Sequence, residues 1–93
     1  HAPLSRVIAV VVLENITVEG MLDRMRAEHL PIISEISLFD VYRGKGVENS
    51  KKSLAFRVLL QDTEKTLTDA EADFVIMKLV NILEGQFGAR LRS

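Results

Sequence analysis

Residues 53–61 read Ser53-Leu54-Ala55-Phe56-Arg57-Val58-Leu59-Leu60-Gln61. Leu54, Phe56, Val58 and Leu60 fall at every second position, the period of a strand with one face in a core. Ser53, Ala55, Arg57 and Gln61 share the opposite row, with Leu59 as its apolar exception. Shortly after comes Thr68-Asp69-Ala70-Glu71, which has the form of a capping box. The threonine hydroxyl accepts from a first-turn N–H, and the glutamate reaches back to the cap N–H. Ala72, Val75, Ile76, Leu79, Val80 and Leu83 continue at helical spacing, and Gly85 or Gly88 is the expected terminator. A half-buried strand followed by a long amphipathic helix is the pattern around which the remaining elements are placed.

Ahead of this pair, Val7 to Leu13 is continuously apolar and valine-rich. Its β-branching and length suit a central strand. Such a run hides its own parity: Arg6, Ile8 and Val10 fit the inward row as well as Val7, Ala9 and Val11 do. Thr17 is the expected cap of a first helix carrying Val18, Met21, Leu22 and Met25 on one stripe, with Pro31 bounding it. Ile32 to Tyr42 reads as a second strand, Gly44, Gly46, Asn49 and Ser50 as a loop, and Ala89 to Arg92 as a short last strand. The order is β-α-β-β-α-β. Right-handed crossovers put both helices on one side of the sheet. The predicted fold class is therefore α+β, a ferredoxin-like plait, with a four-stranded antiparallel sheet and two helices on one face. The other sheet face is left for solvent, a partner or a ligand.

The 93 residues make one domain, 1–93, and are too few for a catalytic domain plus a substrate domain. Residues 1–4 read as a linker or a remnant of processing, and a start at His1 rather than Met reads as a piece of something larger. With 12 basic and 13 acidic residues the net charge is -1, which excludes coating nucleic acid by overall charge. There is no cysteine, so disulfides, thiolate metal sites and cysteine nucleophiles are excluded. No apolar run approaches the roughly 20 residues of a bilayer span, and no membrane partner is expected.

Enzymatic chemistry finds little support. Asp62, Glu64, Asp69, Glu71 and Asp73 surround a turn and a helix start, where solvation and the helix dipole account for them. His29 suits a helix end, has no second ligand at helical spacing, and leaves no metal site expected. Gly44-Lys45-Gly46 lacks the framework of a phosphate loop. No catalytic residue and no cofactor are assigned to the domain.

Charge placement is more informative. Arg43, Lys45, Lys51, Lys52 and Arg57 lie within residues 43–57 against Glu48 alone. A solvated hairpin tip explains this, and so does a phosphate-facing patch. Tyr42, the one tyrosine, alternates in phase with Asp40, and the loop returns Ser53 beside it. On the helix-free face these three would supply stacking and hydrogen bonds to one base. A carboxylate accepts from the N1–H and N2–H₂ edge of guanine but repels phosphate. The basic groups would hold the flanking phosphates. No second exposed aromatic is expected, because Phe56 has core parity.

Leu38-Phe39-Asp40-Val41-Tyr42-Arg43-Gly44-Lys45-Gly46, Lys52-Ser53-Leu54-Ala55-Phe56, Leu60-Gln61-Asp62, Thr66-Leu67-Thr68-Asp69 and the ending Phe87 to Arg92 form ordered blocks. Together they resemble the C-terminal ferredoxin-fold anticodon-binding domain of bacterial phenylalanyl-tRNA synthetase beta subunits, over roughly Ser5 to Arg92. The resemblance implies binding of the phenylalanine tRNA anticodon stem-loop. A tyrosine would stack on the first anticodon base, a guanine, while an aspartate and a serine bond to it; the matching positions are Tyr42, Asp40 and Ser53. It also implies a cytoplasmic parent ligase that uses ATP and magnesium. The active site would lie on the alpha subunit of a heterotetramer, and the rest of the beta subunit would be a further partner. The first strand departs from the pattern: Ser5-Arg6-Val7 stands where the family usually has Arg-Arg-Asp, and a weakened contact is expected there.

Two other readings fit the residues. One is an architectural module packing its free face on a larger protein, for which Ile36, Leu38 and Leu59 are the candidate apolar groups. The other is a small-molecule regulatory plait domain, for which no motif is present.

Overall fold

The computed structural model describes residues 2–92. Its elements are β1 (Leu4–Leu13), α1 (Val18–Arg26), β2 (Ile33–Tyr42), β3 (Lys51–Leu60), α2 (Asp69–Phe87) and β4 (Arg90–Leu91). The sheet order is β2-β3-β1-β4, with antiparallel pairing throughout. This is the expected ferredoxin-like plait. His1, read above as a remnant of processing, lies outside the described residues. Leu4, assigned to a linker, is the first residue of β1 and packs partly buried against the core.

The alternating row of β3 is the centre of that core. Leu54, Phe56, Val58 and Leu60 are all fully buried. Burying a side chain such as Phe56 contributes about 1.5–3 kcal/mol. Pairing resolves the parity that the valine run concealed. Ile8 stands opposite Phe56 and Val10 opposite Leu54, so Ile8, Val10 and Val12 face the helices. Val7, Ala9, Val11 and Leu13 consequently belong to the helix-free face. Met21 and Met25 of α1, with Ala72, Val75, Leu79 and Leu83 of α2, close the core from the helix side.

The helix ends follow local chemistry. The Thr17 hydroxyl accepts from Gly20 N–H at 3.1 Å. The Thr68–Glu71 capping box closes in both directions, at 3.1 and 3.0 Å. Gly88, rather than Gly85, caps α2 in the left-handed region with φ 64°. α1 stops at Arg26, well before Pro31, and the chain turns through His29 at φ 50°. His29 therefore lies beyond the helix end rather than within it.

β2 departs most from simple alternation. Its pairing with β3 shifts between Leu38 and Asp40, so Phe39 is the extra residue of a bulge. Ile36 and Leu38 stand opposite Val58 and Phe56 on the helix side, and Ile36 is buried. Past the bulge, Asp40 and Tyr42 stand opposite Ala55 and Ser53 on the other face. Of the three residues offered for an architectural free face, only Leu59 keeps that position.

Candidate nucleic-acid interface

The register builds the helix-free face in rows. One row runs Arg90, Val11, Ser53, Tyr42 across β4, β1, β3 and β2. The next holds Ala9, Ala55 and Asp40, and Arg92 N–H donates to Ala9 O at 2.8 Å beside it. A third pairs Val7, Arg57 and Ser37. Apart from Ser53 and Arg57 the middle of the face is small and apolar, with Tyr42 and Asp40 at one margin and two arginines at the other. Asp40, Tyr42 and Ser53 are thus brought to one face.

Each has a distinct environment. Asp40 is exposed and has no polar partner among the described residues. The Tyr42 hydroxyl donates to Lys45 O at 2.9 Å, while the ring remains 37% exposed. Gly44 makes that pose possible. Its φ is +139°, and a Cβ there would lie 3.3 Å from the Tyr42 hydroxyl oxygen. Ser53 is buried to 5% exposure and accepts from Arg92 Nη1 at 3.0 Å. The Arg92 guanidinium also lies 5.1 Å from the Tyr42 ring centroid, in cation–π range.

The five expected phosphate contacts divide. Lys45 is exposed. Lys51 has the parity of Ser53 and pairs weakly with Glu48 at 3.6 Å. Arg57 is exposed, with its guanidinium 4.3 Å from the Phe39 centroid. Arg43 is held by Glu14: its Nε donates to one carboxylate oxygen, and its Nη2 to the other at 2.7 Å. Lys52 departs from the expectation. It stands opposite Val12 on the helix side at 7% exposure, and its ammonium donates to Glu14 O at 2.9 Å. A second contact reaches Glu14 Oε2 at 3.4 Å. Lys52 fastens the β3 start to the β1 end, on the side of the sheet away from Ser53 and Tyr42.

Glu14 is the hub of this corner. Its N–H donates to Ser50 O at 2.8 Å, closing the 43–52 loop onto β1. The Arg43 hydrogen bond, helped by Lys52, holds the Glu14 carboxyl at about 2. The same pairing raises Arg43. Sequence reasoning missed Glu14 because its partners lie far along the chain. It quoted Arg92 inside a motif but gave it no role, and it missed Phe39, which is 53% exposed and overlies Arg57. Phe39 sits at the bulge and Phe74 on α2 is 56% exposed as well, so the expectation of no second exposed aromatic is corrected. The departing Ser5 and Val7 stand opposite Leu59 and Arg57 on this same face. Arg6 turns to the helix side and bonds Asp69 at 2.7 Å.

Comparison with known proteins gives the family of the chain. The family model described as the ferredoxin-fold anticodon binding domain matches residues 2–92. The chain belongs to that family. A phenylalanine–tRNA ligase beta subunit from Nitrosospira multiformis is 66% identical over 93 residues, covering 100% of this chain and 12% of that protein. Beta subunits of the same name from Dechloromonas aromatica and Aromatoleum aromaticum are 46% and 44% identical over 98% and 97% of the chain. The chain spans about an eighth of the length of such relatives, covering 12% and 11% of these two. Among its described residues no helix is long and apolar enough to cross a membrane, and no group of three acidic or histidine side chains is placed to hold a metal ion.

Proposed function

We propose that the helix-free face binds the anticodon stem-loop of phenylalanine tRNA, with Tyr42 stacking on the first anticodon base and Asp40 and Ser53 bonding its edge. The observation that carries this reading is the convergence of these three side chains on one face, past the β2 bulge. Stacking on the Tyr42 ring contributes about 1–3 kcal/mol. Asp40 accepts from the N1–H and N2–H₂ groups of guanine. Arg92 already donates to Ser53 Oγ, so the serine hydroxyl keeps its proton to donate to a base acceptor such as O6. Two acceptors beside one donor suit guanine and oppose adenine.

Lys45, Lys51, Arg57 and Arg90 serve the flanking phosphates and make the affinity salt-dependent. Arg43 contributes at the rim only on leaving Glu14. The chain acts as an accessory binding module of a cytoplasmic phenylalanine–tRNA ligase, joined to the rest of a beta subunit and to an alpha subunit in a heterotetramer. The ligase's ATP and magnesium would be held by the alpha subunit, where the ester bond is made. Packing on a larger protein is a compatible second reading for a different surface: Phe74 and Met77 stand 56% and 54% exposed on α2, on the other side of the sheet.

The test is Asp40→Asn, assayed against the stem-loop with guanine or adenine at the first anticodon position. The unaltered chain prefers guanine, and the variant loses about 1–3 kcal/mol of that preference. An undiminished preference would remove Asp40 from base reading.

A further inference from the structure

Tyr42 is not alone on the helix-free face. Phe39, at the β2 bulge, brings a second aromatic ring, and the residue is 53% exposed. The Arg57 guanidinium lies 4.3 Å from its centroid. Arg57 belongs to the helix-free row through its pairing with Val7 and Ser37. A buried core explains neither side chain, and no carboxylate among the described residues claims Arg57.

Both Arg57 and Phe39 are flat, and the arginine is charged. Bases stack on aromatic rings and on guanidinium planes alike, and such stacking tolerates any base because every base has a π-face. Phe39 and Tyr42 are three positions apart along β2, a span of roughly 10 Å at strand rise. One nucleotide step of a splayed single strand is of comparable length. In its own row Arg57 has the uncharged Val7 and Ser37 beside it, while Glu35 and Asp40 stand one row to either side, so the place for a phosphate is at the guanidinium itself.

We infer that the Phe39–Arg57 pair is a second nucleotide subsite, which stacks the base flanking the one on Tyr42 without reading its identity. Phe39 keeps the guanidinium within cation–π range of its ring, and Arg57 adds its charge beside the connecting phosphate. This rests on the RNA-binding reading of the same face and extends it from one base to two. Asp40 and Ser53 would set which base is accepted, while Tyr42, Phe39 and Arg57 would set how firmly the strand is held.

The test uses the 93-residue chain and the phenylalanine tRNA anticodon stem-loop with 2-aminopurine at either nucleotide flanking the first anticodon base. Phe39→Leu, Phe39→Tyr and Tyr42→Ala are compared, with thermal melting as the control for folding. Phe39→Leu is expected to weaken binding about five-fold or more, equally for RNAs with guanine or adenine at the first anticodon position. It should also abolish the fluorescence change at one flanking position, and Phe39→Tyr should restore both. If Phe39→Leu leaves affinity and fluorescence unchanged while Tyr42→Ala weakens binding, the second subsite is overturned and the first stands. If neither variant matters, or the unaltered chain binds neither RNA, both readings fall.

Discussion

The Tyr42 ring is held at its hydroxyl by the Lys45 carbonyl and flanked by the bare backbone of Gly44. A ring fixed before binding loses little rotamer freedom when a base stacks on it, which favours affinity. Tyr42→Ala should therefore cut stem-loop affinity by about 1–3 kcal/mol and cost folding about 1 kcal/mol or less. Titration and thermal melting check the two halves separately. Gly44→Ala should act through the backbone. At φ +139° a side chain is strained whatever the space, and the new Cβ would press on the Tyr42 hydroxyl. A stability loss of about 1 kcal/mol or more is expected, together with weaker RNA binding; a variant with unchanged urea midpoint and affinity would contradict this. Tyr42, Asp40 and Ser53 were legible in the sequence because alternation and a short loop return fix their face. Arg92 and Glu14 were not, because their contacts with Ser53, Arg43 and Lys52 join residues 39, 29 and 38 positions apart.

Elements whose pattern is local were the readable ones. The β3 row and the Thr68–Glu71 capping box declare themselves by period and spacing. The β1 run did not, since a strand apolar on both faces acquires its inward side only from the partner that pairs with it. The β2 bulge is likewise a property of two strands, because it arises where two residues oppose one. Between these elements the 43–52 loop is fastened through Glu14, and that fastening titrates. The Glu14 carboxyl sits at about 2, below its ordinary 4.5, chiefly through its hydrogen bond with Arg43. A depressed carboxylate stabilises the fold fully above pH 4.5, and the contribution fades as pH falls from 4.5 towards 2. Glu71 behaves alike, lowered to about 2 first by Lys65 and then by the Thr68 backbone N–H. Urea unfolding across that window should show stability falling with acid. Glu14→Gln should flatten part of the fall and destabilise the protein at pH 7, where it leaves the Lys52 ammonium buried without its counter-charge. An unchanged slope between pH 4.5 and 2 would contradict the assignment.

At the scale of the whole molecule, the plait divides its work between the two sheet faces. One face is spent on the core beneath α1 and α2. The other is free of helices, with Arg57 among small residues at its centre, an aromatic and an acid at one margin and arginines at the other. The net charge of -1 is near neutral, so on the proposed reading phosphate would be drawn by the local charge of this face and not by the chain as a whole. The central claim is that this face reads one base, and an NMR titration of the chain with the phenylalanine tRNA anticodon stem-loop at low salt tests it most directly. The control is the same hairpin with adenine in place of the first anticodon guanine. The account predicts saturable shifts centred on Asp40, Tyr42 and Ser53 that weaken with the control. Equal shifts for both RNAs, or shifts confined to the helix side of the sheet, would contradict it.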